Sequence, residues 1–152
     1  MGWFYGFKLH LIVNHHGEIV AAKVTTGNIH DTQPVEELAQ GLTDKLYGDK
    51  GYLSKALAAN LFEKGVTLVT TVCKNMKAKA MSLWDRAMLS KRFIIETIND
   101  QLKNISYTEH SRHRSMNGFM LNLLAGLVAY CLKKDKPSLN LNDVELNAMI
   151  VA

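Results

Sequence analysis

An acid set between two glycines at the end of a short apolar run constrains this chain more than any other stretch: Lys45-Leu-Tyr-Gly-Asp-Lys-Gly-Tyr52. Lys45 to Tyr47 reads as a strand, in a chain whose neighbouring segments alternate strand and helix. Gly48 and Gly51 allow a tight turn and a close approach of backbone to a ligand. Asp49 is then presented at the C-terminal end of a strand, where α/β sheets collect their chemistry. A carboxylate there suits a hard cation such as Mg²⁺. Gly-Asp-Lys-Gly is also ordinary turn chemistry, and taken alone the motif reads as a turn; a second element further along points the other way.

Composition sets the frame. A chain of 152 residues, 47% hydrophobic and 21% charged, is long enough for one soluble domain with a real core. A net charge of +4 permits a nucleic-acid partner without demanding one. Cys73 and Cys131 lie far apart without metal-ligand spacing, and read as buried free thiols in a reducing cytoplasm. The aromatic N-terminus has no basic region leading into a long apolar run, so no secretory signal is expected. The most apolar stretch, Met116 to Leu132, contains Asn117 and Asn122 and falls short of a membrane span of about 20 residues. It reads as a buried helix, with no membrane partner.

Trp3 to Val13 favours a strand, with Phe7, Leu9, Leu11 and Val13 on one face and Lys8 and His10 on the other. Asn14-His-His-Gly17 is a hairpin turn, and Glu18 to Thr26 the return strand. His15 and His16 tempt a metal reading, but neighbours on a turn are expected to point apart. Asp31 or Thr32 is expected to cap a helix to about Gln40, with Pro34 in its first turn and Gly41 at its end. Ser54 caps a helix over Lys55 to Lys64, with Leu57, Leu61 and Phe62 helically spaced, and Gly65 closes it. Val66 to Val72 is a buried strand. Lys74 to Lys79 is a basic connector that reads equally as solvated loop or phosphate contact.

The spacing then predicts one long helix, about Trp84 to Asn104, with Met88, Ile95, Ile98 and Leu102 on its packed face. Arg92, Glu96 and Lys103 fall in one stripe beside that face. Such a stripe can hold a carboxylate between two cations, or be a plain salt bridge on a solvated helix. His110-Ser-Arg-His-Arg-Ser115 is a dense basic patch suited to phosphates. The tail from Pro137 is expected to be loosely attached, with a short helix at Asn142 to Met149. An acid at a strand end and a second on a helix crossing the same sheet can converge on divalent ions. Two-metal phosphoryl chemistry uses ions about 3.5–4 Å apart to clamp the attacking and leaving oxygens.

The motifs GWFYGFKLHLIVN, TTGNIHD, YGDKGY, TTVCKNMK, KRFIIETINDQLKNI and EHSRHRS together resemble the catalytic domain of bacterial insertion-sequence transposases of the DDE class. The resemblance covers about Gly2 to Lys136 and lies nearest the insertion-sequence group numbered 982. It implies an α/β, ribonuclease-H-like mixed sheet flanked by helices. The expected layout is a catalytic domain over residues 1–136 and a tail over 137–152. It implies Asp49 and Glu96 as second and third acids of the triad, both metal ligands, with Mg²⁺ or Mn²⁺ as cofactor.

Arg92, Glu96 and Lys103 match the last three letters of the Y-R-E-K signature of related transposases, and Leu89 stands where the tyrosine would be. Arg92 and Lys103 would steady phosphates or orient Glu96, and Lys50, Arg112 and Arg114 would contact the DNA backbone. Partners implied are transposon ends, target DNA, and a second copy or a full-length transposase. The family's first aspartate and its central strand have no counterpart here, and Asp31, the nearest acid, reads as a helix cap. The expectation is therefore a truncated transposase, inactive alone. The alternative is a non-catalytic DNA-binding or regulatory fragment that pairs with a full-length copy.

Overall fold

Two strands that run the same way cannot be joined by a turn, and this shapes the centre of the molecule. β3 (Asp44–Gly48) and β4 (Val66–Thr70) pair in parallel, with Leu46 opposite Leu68 and Gly48 opposite Thr70. The crossover between them is α2 (Lys55–Glu63). Ser54 caps α2, its hydroxyl accepting from Leu57 N, and Gly65 leaves the helix at φ +81°. Leu57 and Leu61 turn inward and join Val35, Ala39 and Val66 in a core, with Leu42, Leu46, Tyr52 and Leu68 packed around it.

The computed structural model describes residues 6–71, 81–104 and 115–139. The chain divides into two units: Met1–Ile12, Val20–Arg92 and Leu141–Ala152 in one, Val13–Ile19 and Phe93–Asn140 in the other. The first holds most of β1 (Phe7–Val13) and β2 (Ile19–Thr26), then α1 (Val35–Leu38), β3, α2, β4 and α3 (Leu83–Ser90). Where one continuous mixed sheet is expected, the described strands form two two-stranded sheets, β1–β2 and β3–β4. Each pair completes its ladder internally, one across a hairpin and the other across α2. The α/β class stands, as small sheets flanked by helices.

Several local expectations are corrected by partners distant in sequence. Asp31 caps nothing, because its carboxylate accepts from Lys8 Nζ at 2.9 Å. The helix after it shrinks to α1, where Pro34 occupies the cap position without a side-chain bond. Phe62 is 71% exposed, while the polar-face His10 is buried and bonds Thr25 Oγ1 at 2.8 Å. The long helix is broken. Ser90 Oγ donates to Ala87 O, and Lys91 N is shared between Ala87 O and Met88 O. α3 ends at this turn, and α4 (Phe93–Asn104) begins in the other unit. The buried residues are Leu89, Ile94, Ile98 and Leu102; Met88 and Ile95 are half-buried.

The second unit packs α4 on α5 (Met116–Leu132) and includes the hairpin tip. Gly17, at φ +74°, lies so close to the Pro137 backbone that a Cβ would sit 1.9 Å from its carbonyl oxygen. Tyr130 donates to Gly17 O at 2.7 Å and Leu139 N donates to His15 O at 2.9 Å, so the start of the tail is tied down. His15 and His16 do not point apart: their ring centroids are 3.9 Å from each other. Only Leu123, Gly126 and Tyr130 of α5 are buried; Leu121, Leu124, Val128 and Leu132 are exposed, as is Cys131. The helix is thus apolar without being buried all round. Cys73, Lys74 to Lys79 and the tail helix lie outside the described residues. No helix among the described residues is long and apolar enough to cross a membrane.

His10 gives a pH test. Burial holds its imidazole below the ordinary 6.5, helped by Lys8 and Lys23 and opposed by Asp31. Below about that ordinary value the unfolded chain takes up a proton that the folded hairpin resists, so stability falls as pH drops through this range. His10→Gln is expected to lessen that acid loss, read as the difference in denaturation midpoint above and below the imidazole range. An unchanged difference would place the sensitivity elsewhere.

Candidate functional site at the end of β3

Asp49 follows the last residue of β3 with extended backbone, φ −73° and ψ 166°. Its carboxylate turns back to cap a one-turn 3₁₀ helix, Lys50–Tyr52, accepting from Lys50 N at 2.6 Å. Gly48 packs closely here: a Cβ would come 3.3 Å from the Tyr52 ring. Gly51 faces open space. The Gly-Asp-Lys-Gly stretch is therefore a turn, as its residues allow, and the turn presents the acid.

The same oxygen, Asp49 Oδ1, also accepts from Arg92 Nη1 at 2.7 Å. Both side chains are about half exposed, 52% for Asp49 and 47% for Arg92, so solvent screens the pair. The Lys50 N–H holds the Asp49 carboxyl below the usual carboxylate range; slight burial opposes it, and the Arg92 and Lys50 charges add to it. Tyr52 lies near enough to both Asp31 and Asp49 that, after burial, their charges raise its phenol further. Asp31 itself is engaged by Lys8, whose Nζ also bonds Ile29 O at 2.9 Å.

Of the residues singled out in the sequence, Asp49 and Arg92 meet directly. Glu96 and Lys103 lie in the second unit, exposed in the first and last turns of α4. Their separation along the helix is about 10 Å, at 1.5 Å per residue. An acid in a first turn and a base in a last turn also suit the helix dipole. Arg92 itself lies in the turn between α3 and α4, in the first unit. Lys50 is exposed beside Asp49. Leu89, at the tyrosine position of the signature, is 6% exposed and part of the core. Arg112 and Arg114 lie outside the described residues.

Sequence reasoning missed Asp85. It accepts from Tyr47 Oη at 2.8 Å and from Lys45 Nζ at 3.0 Å, joining α3 to β3. A local signal was present: Ser82-Leu-Trp-Asp85 has the spacing of a helix start, and Ser82 Oγ does accept from Asp85 N.

As a ligand, Asp49 offers the hard, ionised oxygen that a divalent ion prefers. The donor type fits but the number does not close: no group of three or more His, Cys, Asp or Glu that could hold a metal forms among the described residues. Arg92→Gln is expected to raise the Asp49 titration midpoint while leaving it below the ordinary 3.8, because the Lys50 N–H remains. Carboxyl-carbon NMR reads this directly. A midpoint unmoved by the substitution would mean that the guanidinium contributes nothing in solution. The sign follows for stability: a depressed acid contributes above its unfolded pKa, and that contribution is lost as pH falls through the folded one.

The family model described as a transposase DDE domain matches residues 1–116. No curated protein and no solved structure matches the chain. With the match running from the first hairpin through the β3–α2–β4 crossover and α4, the chain belongs to the transposase DDE domain family.

Proposed function

We propose that this chain carries part of a DNA-cleaving and strand-joining site, with Asp49 and Glu96 as two of its acids. One observation carries the reading. At the exit of β3 the chain holds an exposed carboxylate in its ionised form, fixed by a backbone N–H and faced by an arginine. DDE transposase domains generally use divalent metals. Mg²⁺ or Mn²⁺, held by Asp49 with Glu96, would supply charge neutralisation at the scissile phosphate. The chain's own residues orient and neutralise: Arg92 and Lys103 meet phosphate oxygens, and Lys50 steadies the DNA backbone beside Asp49. Arg112 and Arg114 extend that contact. Carboxylates here bind and position, and no covalent protein–DNA bond forms.

The two acids assigned fall one short of the family's set of three. Two carboxylates under-compensate the charge of an ion pair. The chain by itself is therefore expected not to join transposon ends to target DNA. Incubating purified protein with Mg²⁺ and end-sequence DNA checks this, and robust hydrolysis at the element ends would overturn it. A second reading, pairing with a second copy or a full-length transposase, is favoured by the two short sheets and by the exposed Leu121, Leu124, Val128 and Leu132 of α5. Mixing the chain with an intact relative and scoring transposition separates a regulatory partner from an inert one.

Lys50 tests the DNA contact. Lys50→Ala is expected to weaken binding to all sequences alike and to lower the salt slope by about one unit. A loss confined to one sequence would argue for base reading instead.

A further inference from the structure

We propose that Asp85 is a positioning residue for the Asp49 site: by holding α3 against β3 through Tyr47 and Lys45, it sets the Arg92 guanidinium on the Asp49 carboxylate. The proposal rests on the reading of Asp49 as a functional acid, but its geometry stands independently, since all five residues belong to one unit.

Asp85 needs an explanation of its own. Its side chain is only 13% exposed, and a carboxylate so placed must be well partnered. A first-turn acid is already served by the helix N-terminus, and in a capping box it would fold back towards Ser82. Beyond Ser82, its Oδ1 reaches across 38 and 40 residues of sequence to a tyrosine and a lysine on β3. Burial pushes the Asp85 carboxyl up, and hydrogen bonds from Ser82, Tyr47 and Lys45 outweigh it and keep it ionised. Burial and the Asp85 bond keep the Tyr47 phenol protonated well beyond its usual range, so it remains a donor at every working pH.

The spacing explains the placement. Lys45, Tyr47 and Asp49 are alternate residues, so they follow one side of the strand and its exit. From Asp85 to its last residue, Ser90, α3 rises about 7.5 Å, and Arg92 follows in the turn after the Lys91 cap. Along the strand, Tyr47 to Asp49 is about 7 Å and Lys45 to Asp49 about 13 Å. The two elements match in length, so Asp85 on Tyr47 and Lys45 at one end registers Arg92 on Asp49 at the other. The charges alternate around this clamp, Lys45 with Asp85 and Arg92 with Asp49. A shift of α3 by one residue would carry Arg92 away from Oδ1.

The test uses the full chain without DNA, by NMR of the arginine side-chain N–H groups. In the unaltered protein the Arg92 guanidinium protons are expected to exchange slowly with water, and Asp49→Asn should remove that protection. Tyr47→Phe, which keeps the ring, and Asp85→Ala are each expected to speed the exchange by about tenfold or more, the scale of losing a charge-assisted hydrogen bond. The Leu61 methyl signals report whether the core is intact. If Asp85→Ala does not fold, Tyr47→Phe decides. Folded variants in which Arg92 keeps its protection would overturn the proposal. Protection lost in both variants supports it even where the chain does not bind DNA. In that event the functional reading falls and the positioning role remains.

Discussion

Parallel pairing of β3 and β4 is the constraint from which the first unit follows. It forces a crossover, and the crossover must bury one face on the pair that it connects. Leu57 and Leu61 supply that face, and Val35 and Ala39 of the α1 segment cover it. With β3 held by β4 and roofed by α2, the ladder runs as far as Gly48 opposite Thr70, and Asp49 is the next residue. The residue emerging there has no strand partner to satisfy it. In this chain it is an aspartate, and its first partner is the backbone of the turn that it starts.

Electrostatics at that point are simple and local. One oxygen of Asp49 takes a short backbone bond and a guanidinium. The sequence suggested Arg92 as a companion of Glu96, one turn away on a shared helix. In the first unit it bonds Asp49. An arginine on a carboxylate favours its ionised form and places a phosphate-seeking group beside it. Both effects suit the phosphate contact proposed above, and neither needs deep burial.

What could be read from the chain was whatever its signals encode over a few residues. The hairpin at Asn14 to Gly17, the Ser54 cap, the Gly65 stop and the β-branched strand after it are local instructions, and the structure follows them. Asp49 was legible because glycines flank it. The failures came from partners far away. Lys8 takes Asp31 away from its helix, and a hydroxyl at Ser90 interrupts a helix containing neither proline nor glycine. Phe62 keeps helical spacing yet faces solvent, since periodicity marks a face without showing what will cover it. Asp85 gave only the signal of a helix start. Its second role depends on residues 38 and 40 positions earlier.

The hairpin tip carries a consequence for the order of assembly. Its backbone is completed by the hydroxyl of Tyr130, 113 residues downstream of Gly17, and by the amide of Leu139. Contacts of such long reach form slowly, because the intervening chain must first be gathered. On a ribosome that makes protein from the N-terminus, β1 and β2 emerge before α5, and their loop waits until the chain has been made past Leu139. Until then the Gly17 carbonyl lacks the hydroxyl that Tyr130 donates in the folded chain.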